Sequence, residues 1–266
     1  MNVCIMGLGN IGLSVASHIS RFYPVKGYDI KDAVIVKALS KGVEASTTLA
    51  RADIYVVAVN TYFRNNAPDM SAVNCCCKKI SKLNRNALVC FESTLTVGAS
   101  RQMAKKHNLK YVAVCPHRWW KQDQLNHGVV QTRVLGALNV ESKQKATRFY
   151  ESLQIPIHEV DSTELAEASK LVENSDYYLR IAYAEELKII CDKNGLDFNQ
   201  LRDAVNTKWN MDLPEAINGI GGECLPKDIR FLQCLDPLNI LLKAAVQLDD
   251  YYRNCLTSMD ILLVAK

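Results

Sequence analysis

Three glycines near the amino terminus constrain this chain more than any other feature. Gly7, Gly9 and Gly12 form a Gly-x-Gly-x-x-Gly sequence that follows a short β-branched run at residues 3–6 and opens a helical pattern. In a strand–turn–helix unit, the first glycine allows a tight turn and the second lets the backbone approach a pyrophosphate. The third permits close packing of the helix on the strand. The sequence therefore predicts a dinucleotide-binding turn.

The residues around this turn indicate which dinucleotide it takes. Asn10 and Ile11 open the helix, where free backbone N–H groups and the positive end of the dipole attract phosphate. Asp29 ends the second predicted strand, where its carboxylate would accept hydrogen bonds from ribose hydroxyls and repel a 2′-phosphate. NAD is therefore expected rather than NADP, although Lys31 offsets part of that repulsion. An empty glycine turn, or a Rossmann fold that binds S-adenosylmethionine or a flavin, remains an alternative.

The first part of the chain alternates short β-branched runs with helical stretches. Such alternation is typical of a parallel sheet with helices on both faces. We expect a Rossmann-type NAD-binding domain at residues 1–162. Its candidate strands are 3–6, 25–29, 54–59, 88–91, 111–114, 133–138 and 157–160, and its helical patterns include 11–21, 71–82, 98–107 and 142–152.

The second part, residues 163–266, contains no strand candidate and is expected to form an all-helical second domain. Helical periodicity runs from 163 to about 194, a shorter helix covers 199–206, a glycine-rich loop covers 218–223, and a long helix covers 237–262. The fold class is therefore α/β, a doubly wound sheet followed by a helical domain. The last helix carries an apolar stripe, and such a stripe predicts a homodimer. The stripe consists of Leu238, Leu241, Leu242, Ala245, Val246 and Leu248.

Composition narrows the function. A net charge of +4 is spread along the chain without a basic block, so nucleic acid is not an expected partner, whereas a small anionic substrate is. No apolar run reaches the roughly 20 residues of a membrane span, and no secretion signal is present, so a cytoplasmic protein is expected. None of the ten cysteines forms a Cys-x-x-Cys pair, so no metal site is expected. Most should pack as small hydrophobes, with Cys224 as the exception.

Four segments resemble the UDP-glucose/GDP-mannose dehydrogenase family. They are 221–228 (Gly-Gly-Glu-Cys-Leu-Pro-Lys-Asp), 167–174 (Glu-Ala-Ser-Lys-Leu-Val-Glu-Asn), 59–61 with 69–71, and 92–94 with Gly98. The segments span most of the chain in the family's order. By this resemblance Val59, Asn60, Thr61, Glu92 and Ser93 would contact the cofactor.

The resemblance also implies a reaction, the four-electron oxidation of a primary alcohol to a carboxylate by NAD. Cys224, expected in an exposed glycine-rich loop, would form a thiohemiacetal and then a thioester with the substrate, and Asp228 would steer the hydrolytic water. Lys170 and Asn174 are four residues apart and share a helix face, where an ammonium and an amide together can stabilise an oxyanion. Thr94 would position the water or the alcohol.

The sequence departs from the family in three places. The chain ends about where the family's third, nucleotide-binding domain would begin, so it is either a fragment or a naturally short form that lacks this domain. His117 occupies the position of a family glutamate, before Trp119 and Trp120, and either a base or a packing role fits a histidine there. Arg180 replaces a typical asparagine and would suit an anionic substrate group.

Two other functions remain open. A two-electron hydroxyacid or alcohol dehydrogenase also uses a lysine and an asparagine four residues apart, without a cysteine. A non-catalytic NAD-binding protein would keep the glycine turn alone. Retention of both the cysteine loop and the lysine–asparagine pair favours the nucleotide-sugar dehydrogenase, whose pathway and substrate the sequence does not name.

Overall fold

The computed structural model describes residues 1–120, 123 and 127–264, with side chains described as far as residue 257. Its internal contacts divide the chain into two compact units, Met1–Lys170 and Leu171–Lys266. Every described strand belongs to the first unit, whereas the described elements of the second unit are helices. The expected fold class, a Rossmann-type sheet followed by a helical region, is confirmed.

The first unit contains all the alternating elements that the sequence predicts and a few more. In chain order they are β1 (Val3–Met6), α1 (Asn10–Ile19), β2 (Val25–Tyr28), α2 (Asp32–Ser40), β3 (Ala45–Ser46), β4 (Ile54–Val57), β5 (Tyr62–Arg64), β6 (Ala67–Asp69), α3 (Ser71–Asn84), β7 (Leu88–Phe91), α4 (Ala99–His107), β8 (Tyr111–Val114), β9 (Arg133–Ala137), α5 (Val140–Ser152), β10 (Ile157–Glu159) and the start of α6 (Thr163–Asn194). Helix α2, strand β3 and the β5–β6 hairpin are additions to the sequence-based expectation.

Eight strands form one sheet in the order β10-β9-β8-β7-β4-β1-β2-β3. The strands from β3 to β8 are parallel, but β9 pairs antiparallel with β8 and parallel with β10. The predicted parallel sheet is therefore observed with one antiparallel pair, β8–β9, near this edge. A parallel neighbour needs a crossover connection, usually a helix. The described residues between β8 and β9 form no helix, and β9 returns in the opposite direction.

Alternate residues of the central strands face two separate cores. Val3 and Ile5 pack with apolar residues of α1, α2 and α5, whereas Cys4 and Met6 pack with residues of α3 and α4. Successive strand side chains point to opposite faces of a sheet, so the two cores confirm the prediction of helices on both faces.

Most of the cysteines contribute to these cores. All ten lie among the described residues and none of them forms a disulfide; six are buried: Cys4, Cys76, Cys77, Cys90, Cys115 and Cys191. Burial raises the pKa of the Cys4 and Cys77 thiols to about 12. Cys4 and Cys77 therefore stay protonated, and the buried cysteines act as small apolar side chains.

The second unit consists of the remainder of α6 with α7 (Phe198–Val205), α8 (Cys224–Gln233) and α9 (Ile240–Val264). Helix α9 begins at Ile240 rather than at Pro237, because the Asp236 Oδ1 accepts the N–H of Leu238 at 2.9 Å and forms a turn. No described helix is long and apolar enough to cross a membrane.

The apolar stripe predicted for α9 divides into two parts. Ala245 is buried against α6 and α8, and Leu242, Val246 and Leu248 pack beside it. Leu238 and Leu241 are instead 78% and 66% exposed. Of this stripe, only Leu238 and Leu241 are therefore available to contact a partner.

Strand β9 approaches the chain just before α6 closely at Gly136. A Cβ added to Gly136 would lie 2.0 Å from the carbonyl oxygen of Ser162 and 3.0 Å from the Cβ of Ala166. Backbone atoms cannot turn away as a flexible side chain can, so this position accepts no side chain without displacing the start of α6.

We therefore predict that Gly136→Ala destabilises the protein by about 3 kcal/mol or more, because the added methyl overpacks a backbone contact. Thermal unfolding followed by circular dichroism would measure the loss. Gly221→Ala is the matched control, since its added Cβ would meet nothing within 4 Å. Equal midpoints for the two variants would contradict the prediction.

Candidate functional site

The glycine turn after β1 has the geometry that its sequence predicts. Gly7 has φ +91°, and a Cβ there would lie 2.6 Å from the Ala58 carbonyl oxygen. A Cβ on Gly12 would lie 1.8 Å from the Gly7 carbonyl oxygen, which excludes any side chain. A Cβ on Gly9 would meet nothing within 4 Å. The fold itself thus requires Gly7 and Gly12, whereas Gly9 keeps the turn open to a ligand.

The amino terminus of α1 faces this opening. Gly9 is its N-cap, and no described side chain caps the helix. Asn10 and Ile11 form the first turn, so their end of the helix presents backbone N–H groups and a partial positive charge. This is the arrangement that binds a pyrophosphate in a Rossmann unit.

Asp29, directly after β2, is tied to the same turn. Its Oδ2 accepts the N–H of Leu8 at 2.9 Å, and its Oδ1 accepts the N–H of Lys31 at 3.0 Å. An ionised carboxylate offers about four acceptor positions, so two remain for ribose hydroxyls. Asp29 therefore holds the turn in place and still has the capacity that an adenosine ribose needs.

The segments after β4 and β7 are joined by hydrogen bonds at this carboxyl edge of the sheet. Ser93 donates its Oγ hydrogen to the carbonyl of Val59 at 2.7 Å, and Thr61 donates to the carbonyl of Thr94 at 2.8 Å. Asn60 is exposed beside them and its amide donates to the hydroxyl of Tyr62. The structure brings these predicted site residues to the edge where ligands bind in open α/β sheets.

Glu92 belongs to a buried charged cluster that the sequence did not predict. Arg133 Nη1 lies 2.9 Å from Glu92 Oε1, and the hydroxyl of Tyr150 donates to the same oxygen at 3.1 Å. Arg133 and Tyr150 are fully buried, and Glu92 is 3% exposed. Glu92 therefore supports the carboxyl edge of the sheet from inside the core, and its side chain contacts β9 and α5.

His117 completes this cluster. Its Nε2 lies 3.0 Å from Arg133 Nη2 and 3.7 Å from Glu92 Oε2, and its Nδ1 lies 3.1 Å from the backbone nitrogen of Trp119. Burial, with the positive charges of Arg133 and Lys170, lowers the pKa of the imidazole well below its usual range. The ring is therefore neutral at pH 7 and has one acceptor nitrogen, so only one of the two facing donors bonds to it at a time.

Glu167 is a second buried carboxyl with a structural task that the sequence analysis missed. It accepts the N–H groups of Gly98 at 2.5 Å and Ser100 at 2.8 Å, which caps the first turn of α4. Gly98 is the N-cap of that helix with φ +86°, a conformation that favours glycine. Burial raises the pKa of Glu167 to about 7. The contact explains why a glutamate on α6 and a glycine before α4 occur together.

In the second unit, Asn174 and Asp228 form the centre of the candidate thiol site. Asn174 on α6 donates its amide to Asp228 Oδ2 at 2.5 Å, and Lys227 binds the other carboxylate oxygen. Asp228 is fully buried. Its carboxylate thus holds the Asn174 amide and the Lys227 ammonium in place. Lys170 lies one turn before Asn174 on α6 and is half-buried.

Cys224 is exposed, as expected, but the expectation that it lies in a loop is wrong. It is the first residue of α8, and Glu223 is the N-cap. Pro226 stands in the first turn, where a missing N–H is tolerated. The partial positive charge of a helix amino terminus favours a thiolate over a thiol. The structure therefore gives the cysteine an electrostatic advantage that a loop would lack.

Arg180 forms an ion pair within the second unit. Its Nη2 binds both the carboxylate and the carbonyl oxygen of Asp212 at 2.6 Å. An arginine already paired in this way offers less charge to a substrate anion. Among the described residues, no group of three or more His, Cys, Asp and Glu side chains is placed to hold a metal ion.

Comparison with known families accounts for most of the chain. A family model described as the NAD-binding domain of the UDP-glucose/GDP-mannose dehydrogenase family matches residues 28–154. A second, described as the central domain of the same family, matches residues 164–239.

Individual relatives agree with these matches. A UDP-N-acetyl-D-mannosamine dehydrogenase of Campylobacter jejuni is 29% identical, over 93% of this chain and 71% of its own. An NDP-N-acetyl-D-galactosaminuronic acid dehydrogenase of Ralstonia nicotianae is 29% identical, over 93% and 68%. The solved structure of a UDP-D-ManNAc dehydrogenase from Pyrococcus horikoshii superposes with a TM-score of 0.86 at 25% identity, over 95% of this chain and 69% of its own.

The open space at Gly9 generates a prediction. Gly9→Ala should leave the free energy of unfolding within about 1 kcal/mol of the wild type, since alanine is only a weaker N-cap. It should weaken NAD binding by about tenfold or more, because a methyl group projects where the pyrophosphate approaches. Isothermal titration calorimetry would measure the affinity.

Gly12→Ala is the matched comparison. Its Cβ would collide with the Gly7 carbonyl oxygen, so this variant should lose folding stability as well as NAD binding. Wild-type NAD affinity in Gly9→Ala would contradict the proposed position of the pyrophosphate.

Proposed function

The chain belongs to the UDP-glucose/GDP-mannose dehydrogenase family, and we propose that it oxidises the primary alcohol of a nucleotide-linked sugar to a carboxylate. As a member it is an NAD-dependent dehydrogenase acting on CH–OH groups. The observation that carries the proposal is the exposed thiol of Cys224 at the amino terminus of α8, with buried Asp228 one turn along the same helix. A two-electron dehydrogenase has no use for that thiol.

The residues at the carboxyl edge of the sheet fit NAD. The Gly7–Gly12 turn and the first turn of α1 would hold its pyrophosphate, and Asp29 has acceptor capacity for a ribose. The segments 59–61 and 92–94, tied together by Ser93 and Thr61, would support the rest of the cofactor. Bound NAD supplies the hydride acceptor for each of the two oxidations.

Cys224 would act as the nucleophile once the alcohol has become an aldehyde. Its thiolate adds to the aldehyde carbon, and the oxygen takes up a proton to give a thiohemiacetal. Loss of a hydride and a proton from that adduct leaves a thioester, and water then releases the carboxylate and restores the thiol. The helix amino terminus contributes by favouring the thiolate at the start of this sequence.

The side chains of α6 and α8 would stabilise the charges that develop during these reaction steps. Lys170 and Asn174 present an ammonium and an amide on one helix face, where they would stabilise the oxyanion of the adduct. Asp228 is occupied by Asn174 and Lys227, so we propose that it orients these groups and acts on the hydrolytic water through them. Thr94, half-buried three residues after β7, would position the alcohol or the water.

For His117 we propose a positioning role rather than that of a general base. A ring that is 4% exposed and already faces Arg133 and the N–H of Trp119 has little access to a substrate proton. Its neutral state matches the demand of the cluster, because a second positive charge beside Arg133 would be costly there. The packing alternative for His117 is thus the better supported one.

The names of the relatives point to the substrate class. The relatives from Campylobacter jejuni and Ralstonia nicotianae are dehydrogenases of nucleotide-linked N-acetylated hexosamines or their acids. We propose a UDP-N-acetylhexosamine as the substrate, with residues 1–162 binding NAD and residues 163–266 presenting the thiol. The two family matches, which end at 154 and begin at 164, support this division.

Cys224→Ser tests the four-electron reaction. The wild type should form two NADH per molecule of sugar acid from UDP-N-acetylmannosamine. The variant should lose net oxidation to the acid by about three orders of magnitude, because the oxygen of serine does not form the thioester. NADH absorbance and mass spectrometry of the product would measure both. Cys234→Ser removes another exposed thiol and should behave as the wild type.

Full activity of Cys224→Ser, with one NADH per substrate, would establish a two-electron alcohol dehydrogenase instead. NAD binding without any NADH from a panel of UDP- and GDP-sugars would indicate a binding protein.

We also propose a homodimer through the start of α9. Leu238, Ile240 and Leu241 are 78%, 84% and 66% exposed, which is a concentrated apolar surface for adjacent positions. Sedimentation at micromolar concentration should give a dimer that Leu241→Lys dissociates. Leu196→Lys, at another exposed leucine of the second unit, should leave it intact, and a monomeric wild type would refute the proposal.

A further inference from the structure

A buried aspartate on α9 joins three parts of the second unit. Asp249 is 4% exposed. Its Oδ2 accepts the hydroxyl hydrogen of Tyr178 on α6 at 3.0 Å. Its Oδ1 accepts the backbone N–H of Ile220 at 2.8 Å and the Nε hydrogen of Arg253, one turn further along α9, at 3.1 Å. The segment before Cys224 is thereby held by a side chain 29 residues away.

Gly219, the residue before Ile220, is confined by the side chain of Arg253. Gly219 has φ +81°, and a Cβ there would lie 2.6 Å from the guanidinium carbon of Arg253. The hydroxyl of Tyr252 lies 3.3 Å from the carbonyl oxygens of both Ala216 and Ile217 and shares its one hydrogen between them. Residues 216–220 are therefore fixed against α9 by consecutive contacts.

The exposed thiol lies between this anchor and a second one. Ile220 is 1% exposed and Asp228 is fully buried, whereas residues 221–224 are exposed. Two of the residues between the anchors are glycines, and Gly222 has φ +83°. Glycines add backbone freedom, so the path of this segment depends on how firmly its ends are held.

We propose that Asp249 is a positioning residue for Cys224, which it serves by fixing the backbone of Ile220. The inference rests on the proposed function of Cys224 as a nucleophile. A hydrogen bond from a backbone N–H to a carboxylate is stronger than one between neutral groups. Because nucleophilic attack requires a narrow range of geometries, loss of this bond lowers the fraction of molecules whose thiol is correctly placed.

Glu185 supports the assignment of the anchoring charge to Asp249. It lies on α6, is fully buried, and neither of its carboxyl oxygens has a hydrogen-bond partner among the described residues. Burial, with the nearby charge of Asp249, raises the pKa of Glu185 to about 8. Glu185 is therefore neutral at pH 7 and does not compete with Asp249 for Arg253 or for the Ile220 N–H.

The test compares three variants that act on one carboxylate. Asp249→Ala removes the acceptor of the Ile220 N–H, and Asp249→Asn keeps an acceptor oxygen without the charge. Tyr178→Phe removes the contact with α6 and leaves the contact with Ile220 intact. Two readouts apply to each: the rate of alkylation of Cys224 by iodoacetamide, followed by peptide mass spectrometry, and kcat with KM for NAD. Cys234, which is also exposed, serves as the internal reference thiol.

We expect Asp249→Ala to slow alkylation of Cys224 and to lower kcat by about tenfold or more, with the Cys234 rate and the KM for NAD unchanged. Asp249→Asn should be intermediate, and Tyr178→Phe should stay within about twofold of the wild type since it leaves the Ile220 bond in place. If Asp249→Ala does not fold, the order of the other two variants decides. Equal rates for Asp249→Asn and Tyr178→Phe would overturn the proposal.

Failure of the proposed function is distinguishable from failure of this inference. A wild type without dehydrogenase activity would refute the reaction, and the alkylation rates would still report whether Asp249 positions the thiol.

Discussion

The buried pairing of Arg133 with Glu92 is the interaction on which the carboxyl edge of the sheet in the first unit depends. A guanidinium removed from water is tolerated only when a carboxylate and further hydrogen bonds compensate it, and here Tyr150, His117 and the Val129 carbonyl supply the remainder. The pair thereby ties the end of β7 to the start of the antiparallel strand β9. Segment 92–94, which lies at the carboxyl edge of the sheet, is positioned as a consequence of this pairing of charges inside the core.

The sequence predicts those positions at which the local backbone geometry requires one particular type of residue. Gly7 and Gly12 were predictable because their backbone positions exclude a side chain, and Asp29 because it follows a strand at a fixed interval from the turn. Arg133 was not predictable, since its partner is remote in sequence and a charged residue at a strand end is normally solvated. The helix that begins at Cys224 was missed because Pro226 and the preceding glycines are typical of a loop, although proline is compatible with the first turn of a helix.

Helix α6 carries side chains with quite different tasks at regular intervals. Glu167 caps α4, Asn174 binds Asp228, Tyr178 binds Asp249, and Glu185 remains neutral in the core of the second unit. A helix of 32 residues can do this because residues three or four apart share a face, so several partners can be served in succession. The resemblance of segment 167–174 to a known motif thus reflects structural and chemical requirements together.

The burial of six of the ten cysteines determines which thiols of this protein peroxides can oxidise. Peroxides attack thiolates, and a thiol that is both inaccessible and held at a high pKa presents almost none. The buried thiols therefore resist oxidation, and oxidation occurs mainly at the exposed cysteines. Cys224 is among them, at a helix end that favours its anion. Because Cys224 is the nucleophile that we propose, its oxidation is expected to abolish activity while the fold stays intact, so a preparation would lose activity without losing folded protein.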